Sequence, residues 1–212
     1  LMTLDALAAA GIAVPEPRHG GVFQVSPHPY RSFDRCVEAD WSQAGFWYAA
    51  IALGSQVELE GLNAFSVQGD MAVVSHYLRL THPGDLEIDV SGIPDLLPPL
   101  AVMAAVRSGT TRFVNAGRLR MKESDRLSSV RAMLTALGGR CEEGPDSLTV
   151  TGGTLTGGTV DGANDHRIVM AAAIAATACA APVTILGAEA VSKSYPTFWE
   201  EYQRLGGDIH VL

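Results

Sequence analysis

One string of parts recurs three times along this chain in the same order, and a repeated supersecondary unit restricts the fold more than any single motif can. Each copy opens on an aspartate. Asp40, Asp95 and Asp165 precede the small, apolar, helix-like stretches 42–53, 96–106 and 168–179. Strand-like segments follow at 57–60, 110–114 and 183–186, then loops at 61–70, 115–125 and 187–193. After each loop comes a more amphipathic helix, over 71–80, 126–137 and 198–205. Leu127, Val130, Met133, Leu134 and Leu137 mark the helical period in the second of these. Asp40 to Asp70 and Asp95 to Asp125 are both 30 residues, and Asp165 to Lys193 is 28.

Two of the second helices run into Leu-Gly-Gly, at Gly138-Gly139 and Gly206-Gly207, which predicts left-handed helix ends leading into strands over 140–143 and 208–212. A strand-like hairpin, 148–150 and 155–160, stands between the second and third copies. Residues 2–14 read as the tail end of a further copy without its head. The pattern predicts an α/β fold of βαβαββ-like repeats whose first helices are apolar on every side, so that they lie buried at the centre with the sheets outside.

Composition narrows the function. Hydrophobic residues make up 47% of the 212, too many for a disordered chain, and 15 Lys+Arg against 23 Asp+Glu give a net charge of -8. With no basic tract, nucleic acid is not an expected partner. Cys36, Cys141 and Cys179 form no Cys-x-x-Cys pair or Cys/His cluster, which argues against a disulfide scaffold and against a metal site and fits a reducing cytosol. The longest apolar run, 168–183, is short and Ala-rich for a membrane span and reads as a buried helix. The opening Leu1-Met2-Thr3 has no signal-peptide pattern and starts without Met inside a helix-like stretch, so a piece of a longer protein is expected.

The polar residues gather where the central helices begin, and a helix N-terminus attracts phosphates and carboxylates through its free N–H groups and partial positive charge. Asp40, Asp95 and Asp165 also suit plain N-caps, worth about 1 kcal/mol each. The loop 118–126 packs Arg118, Arg120, Lys122 and Arg126 with Glu123 and Asp125. It reads equally as a solvated charged turn or as a cluster in which Lys122, Glu123 and Arg126 meet one ligand, Arg126 forking onto an anion and Glu123 carrying a proton. Lys193 holds the corresponding place in the third copy.

Ile93-Pro94-Asp95, Leu119-Arg120-Met121-Lys122-Glu123-Ser124-Asp125-Arg126, Asp165-His166-Arg167 and Ser192-Lys193-Ser194-Tyr195-Pro196 resemble, in order and spacing, the signatures of the EPSP synthase (3-phosphoshikimate 1-carboxyvinyltransferase) family. The resemblance covers essentially the whole chain but only the second half of that family's pattern. It implies that residues 1–37 are a remnant of the last unit of an N-terminal lobe, and residues 38–212 a C-terminal lobe of three units. The family's early lysine and serine, its Asn-Ala-Gly-Thr-type loop and its Ser-Ser-Gln stretch have no counterpart. Its Glu-Gly-Asp reads Glu38-Ala39-Asp40, its run of small residues is replaced by Trp41 to Trp47, and a frequent Asn is Arg118 here.

The implied reaction moves the enolpyruvyl group of phosphoenolpyruvate to the 5-hydroxyl of shikimate 3-phosphate and releases phosphate, with no cofactor or metal. The implied catalytic residues are Asp95, as base toward the hydroxyl, Glu123, as acid toward the phosphoenolpyruvate methylene, and Lys193. Arg126, Arg167 and Lys193 would hold phosphoenolpyruvate, Lys122 and Asp95 would touch shikimate 3-phosphate, and His166 would be a further substrate-binding residue. The expected partners are these two substrates and an N-terminal lobe, the expected compartment the cytoplasm, and the isolated chain inactive. Two other readings remain open, a UDP-N-acetylglucosamine enolpyruvyl transferase-like enzyme and a non-catalytic anion-binding module.

Overall fold

The computed structural model describes residues 1–15 and 21–211. Its helices are α1 (Met2–Ala9), α2 (Trp41–Ala52), α3 (Val73–Leu80), α4 (Leu97–Val106), α5 (Arg126–Ala136), α6 (His166–Ala176) and α7 (Phe198–Arg204). Its strands are β1 (Leu86–Asp89), β2 (Thr110–Val114), β3 (Arg140–Glu143), β4 (Ser147–Thr151), β5 (Gly158–Asp161) and β6 (Val183–Leu186). Short 3-10 turns, Gly69–Ala72, Pro94–Leu96, Gly117–Met121 and Ala188–Lys193, stand before α3, α4, α5 and α7.

The three expected central helices are α2, α4 and α6, and each packs on the other two. Helices this apolar have no face to give to water, so burial is their only stable placement. From Leu97 to Ala105 every residue of α4 is buried, and so is His166 to Ala175 of α6 apart from Arg167. Fully buried Leu, Val and Phe side chains such as Leu100, Val102 and Phe113 contribute about 1.5–3 kcal/mol each through lost apolar hydration. The run at 168–183 is therefore the core helix α6 to Ala176 and then a turn that leads into β6 at Val183. Among the described residues no helix is long and apolar enough to cross a membrane.

The second copy is a complete βαβαββ unit, β1-α4-β2-α5-β3-β4. Its sheet has the order β1-β2-β4-β3, with β1 parallel to β2 and the other pairs antiparallel. In the third copy β5 pairs in parallel with β6. The fold class expected from the repeats is the one observed, α/β with central buried helices flanked by sheets.

Four expectations need correction. Residues 57–60 alternate half-buried and exposed but join no sheet. Their counterpart β2 lies between β1 and the hairpin strand β4, whereas in the first copy only residues 81–85 separate α3 from β1 and leave no room for a hairpin. Without a ladder partner, an alternating pattern does not make a strand. Residues 208–211 likewise form no strand, and Leu212 lies outside the described residues. The expected hairpin of 148–150 with 155–160 is not one, because β4 pairs with β2 and β3 while β5 leaves for the sheet of β6. Of each Gly-Gly pair only the first is left-handed, Gly138 at φ 82° and Gly206 at φ 98°. The second is a close approach: a Cβ on Gly139 would lie 2.9 Å from the Leu134 carbonyl oxygen. The tail expected at 2–14 forms α1, which buries no residue.

Candidate active site

The three aspartates at the helix starts have different tasks. Asp40 is a plain N-cap, accepting from the amides of Ser42 and Gln43 at 2.7 and 3.4 Å. Gln68 covers the Trp41 amide at 3.0 Å. Asp165 caps α6 through the Arg167 amide at 2.9 Å. Asp95, inside the 3-10 turn before α4, makes no cap. The free helix N-termini expected to receive anions are thus taken up at α2 and α6, and in α4 Pro98 and Pro99 bring no N–H. An anion arriving at this face would meet side chains rather than free helix amides.

Those side chains converge. One oxygen of Asp95 lies 2.7 Å from Nη1 of Arg126 and 3.2 Å from Nζ of Lys122, and the other lies 3.5 Å from Nη2 of Arg167. Glu123 pairs with Nη2 of Arg126. Arg126 is completely buried, and all three of its nitrogens are occupied: Nε donates to Asp165 at 3.0 Å and Nη2 to its other oxygen at 3.2 Å. Ser124 donates to the same Asp165 at 2.9 Å. Residues from three separate motifs therefore form one connected cluster.

Burial pushes the Asp95 carboxyl up, but the charges of Arg167, Lys122 and Arg126 outweigh it and hold it below the ordinary carboxylate range. Asp165 follows the same balance: burial raises it, and the hydrogen bond and charge of Arg126 with the Arg167 amide bring it below its usual value. His166, 6% exposed, is shifted down by burial and then by Arg167, so it is neutral at neutral pH. Among the described residues its Nδ1 and Nη1 of Arg167 are buried without a hydrogen-bond partner.

Lys193 stands apart from the Asp95 cluster. Its ammonium donates to the carbonyl and side-chain oxygens of Asn164 at 2.5 and 2.7 Å, one residue before Asp165. Asn164 and Ala163 both have φ 51°, so the chain turns sharply into α6 here.

Two members of the site are absent from the motifs, and a third, Asp165, has a role its motif does not reveal. Asp165 is the buried counter-ion of Arg126 as well as a cap. Asp70, hydrogen-bonded by the Ser42 hydroxyl, faces Asp95 and Arg167, and burial raises its carboxyl above the ordinary value. Asn164 seats Lys193. A usable signal for Asp70 was the repeat offset, since it stands 30 residues after Asp40 as Asp125 does after Asp95.

The family model described as EPSP synthase (3-phosphoshikimate 1-carboxyvinyltransferase) matches residues 1–82 and 84–202. A 3-phosphoshikimate 1-carboxyvinyltransferase of Clostridium acetobutylicum is 41% identical over 223 residues, covering 99% of this chain and 52% of that protein. One from Clostridium kluyveri is 39% identical, covering 98% and 53%. The chain spans about half the length of the curated relatives it matches. An EPSP synthase structure from Acinetobacter baumannii superposes with TM-score 0.83 at 25% identity, over 96% of this chain and 54% of that one. The enolpyruvyl transferase NikO of Streptomyces tendae, at TM-score 0.72 and 18% identity, covers 99% of this chain and 53% of its own and shares the fold.

Proposed function

The chain belongs to the EPSP synthase family, and on that premise we propose that it carries the phosphoenolpyruvate-binding and proton-transferring part of an active site that joins phosphoenolpyruvate to shikimate 3-phosphate. The observation that carries this reading is the meeting of Lys122, Arg126 and Arg167 on the single carboxylate of Asp95. Two highly charged anionic substrates repel each other, and cations from separate loops offset that repulsion while fixing their register.

In the proposed cycle Arg167, with one nitrogen unpartnered, is the readiest ligand for the incoming anion. As substrate anions draw Lys122 and Arg167 away from Asp95, that carboxylate loses the charges that hold its pKa down and becomes a stronger base. It takes the 5-hydroxyl proton while the oxygen forms a bond to the central carbon of phosphoenolpyruvate and Glu123 delivers a proton to the methylene. Cationic character at that carbon is stabilised by the adjacent carboxylates. In the second half Glu123 recovers a proton from the new methyl group as the C–O bond to phosphate breaks, restoring the double bond. Arg126 binds phosphoenolpyruvate only by exchanging Glu123 or Asp95 for it, which couples anion binding to release of a proton carrier. Lys193 reaches the ligand from its seat on Asn164, and neutral His166 offers a hydrogen bond.

Residues 38–212 constitute the C-terminal lobe in this proposal, and residues 1–37 the edge of its neighbour. Supporting this, α1 buries nothing and Phe23, Tyr30 and Val37 are exposed. The partner is the N-terminal lobe. A cytoplasmic setting fits the three free cysteines.

Titration calorimetry with phosphoenolpyruvate in low salt tests the reading. Arg167→Ala is expected to weaken binding by about 1.5–3 kcal/mol, the range for a charge-assisted hydrogen bond. Equal affinity of the two proteins overturns it.

A further inference from the structure

Lys122 and Glu123 sit on a loop that is closed by its own flanking side chains. Nη1 of Arg120 lies 2.9 Å from Oδ2 of Asp125, so residues 121–124 arch over an ion pair between the residues that bracket them. The same guanidinium reaches a second element. It pairs with Glu143 of β3 at 2.8 Å and donates to the carbonyls of Gly144 at 2.9 Å and Pro145 at 3.1 Å, in the turn between β3 and β4. That turn also receives the start of the loop: the Ala116 amide donates to the Asp146 carbonyl at 3.1 Å and the Gly117 amide to its side chain.

The repeats show what this arrangement accompanies. Counting 28 residues from the head aspartate gives Gln68, Glu123 and Lys193 in copies one, two and three. The first copy has no hairpin behind its loop, and its Gln68 is used to cap α2. The second has both the hairpin and a carboxylate at that position.

We propose that Arg120 is the positioning residue of the Lys122–Glu123 arch, and that the β3–β4 turn is the seat against which Arg120 holds it. Arg120 makes no hydrogen bond or ion pair with Asp95, Arg126 or Arg167. It acts through the backbone it fixes, and a single guanidinium binding these four acceptors, with the Ser128 hydroxyl a fifth at 3.4 Å, in a planar fork is a task that lysine cannot reproduce. The arch rests on the functional reading only for what its two side chains do; its geometry stands without it.

Endoproteinase Lys-C provides the test, since it can cut this chain only after Lys122 and Lys193. Native-state cleavage follows the population of locally open forms. In Arg120→Gln, cutting at Lys122 is expected to rise at least about tenfold while cutting at Lys193 stays constant, because only the arch is released. Arg120→Lys should recover part of the protection. An unchanged rate at Lys122, or equal increases at both lysines, overturns the proposal.

A second arm measures phosphate release with the complementary half supplied. Arg120→Gln should lower kcat more than it raises KM, and in a Glu123→Gln background it should cost clearly less than it costs in the wild type, the remainder being the displaced Lys122. Losses that multiply overturn the proposal. Wild-type silence in that assay counts against the functional reading, and the protease result still decides the role of Arg120.

Discussion

Arg126 and Asp165, 39 residues apart in the chain, are both fully buried and are joined through two hydrogen bonds of 3.0 and 3.2 Å. The pair links the first turn of α5 to the N-cap of α6. With Ser124 on the same carboxylate, it fixes the Lys-Glu-Ser-Asp-Arg loop against the Asp-His-Arg turn. A guanidinium so buried is retained only when every nitrogen is matched, and here three carboxylates match it.

Asp165→Asn should cost about 3–5 kcal/mol, because removing one partner leaves the other charge buried and incompletely compensated. Asparagine caps a helix about as well as aspartate, so loss of the N-cap contributes almost nothing to either Asp165→Asn or Asp40→Asn. Urea unfolding separates the two: a loss no larger than that of Asp40→Asn would mean that the buried pair adds nothing.

The stability of the chain should fall in acid. Asp95 and Asp165 are held below their ordinary value of 3.8, so the stability they contribute is complete above 3.8 and is lost as pH falls through their lower native values. Asp70 has the opposite sign. Burial first, then the charge of Asp95, raises its carboxyl, against the Ser42 hydroxyl and Arg167, so its contribution is complete below 3.8 and disappears as pH rises through the native value. Asp70→Asn should therefore raise the melting temperature at pH 7 and leave it unchanged at about pH 3. An equal gain at both would assign the effect to packing instead.

Acylation of the lysines followed by mass spectrometry tests whether Lys193 joins the site. Saturating phosphoenolpyruvate should slow the modification of both Lys122 and Lys193, in proportion to the bound fraction. Protection of Lys122 alone would remove Lys193 from the ligand shell and leave it as a tether to Asn164.

The repeat made the scaffold legible. β2, β3 and β6 lie where alternation and spacing put them, and α4 and α6 are buried because, past His166 and Arg167 at the start of α6, nothing in their sequences is suited to water. The misses share a cause: pairing is decided elsewhere in the chain. Residues 57–60 have a strand's alternation, but the short connection from α3 to β1 leaves them without the hairpin that β2 has. Residues 148–160 look like one hairpin, yet their halves find partners at 110–114, 140–143 and 183–186. At the site, the cluster of Lys122, Glu123 and Arg126 was readable as charge in one loop. That Arg126 is saturated by Asp165, and that the helix starts are occupied, are tertiary facts with no local signal.

Whether this chain carries half of an enolpyruvyl-transferring site is decided by phosphate release from phosphoenolpyruvate and shikimate 3-phosphate, measured for this chain alone and with a complementary half made from a relative. Holding two substrates in register is worth about 7–11 kcal/mol of a barrier, and Asp95 and Glu123 cannot act on a substrate that is not held against them. A site divided between two halves gives no turnover above background for the chain alone and turnover when the other half is added. Steady turnover by the 212 residues alone, or none with a well-folded complementary half, would contradict it.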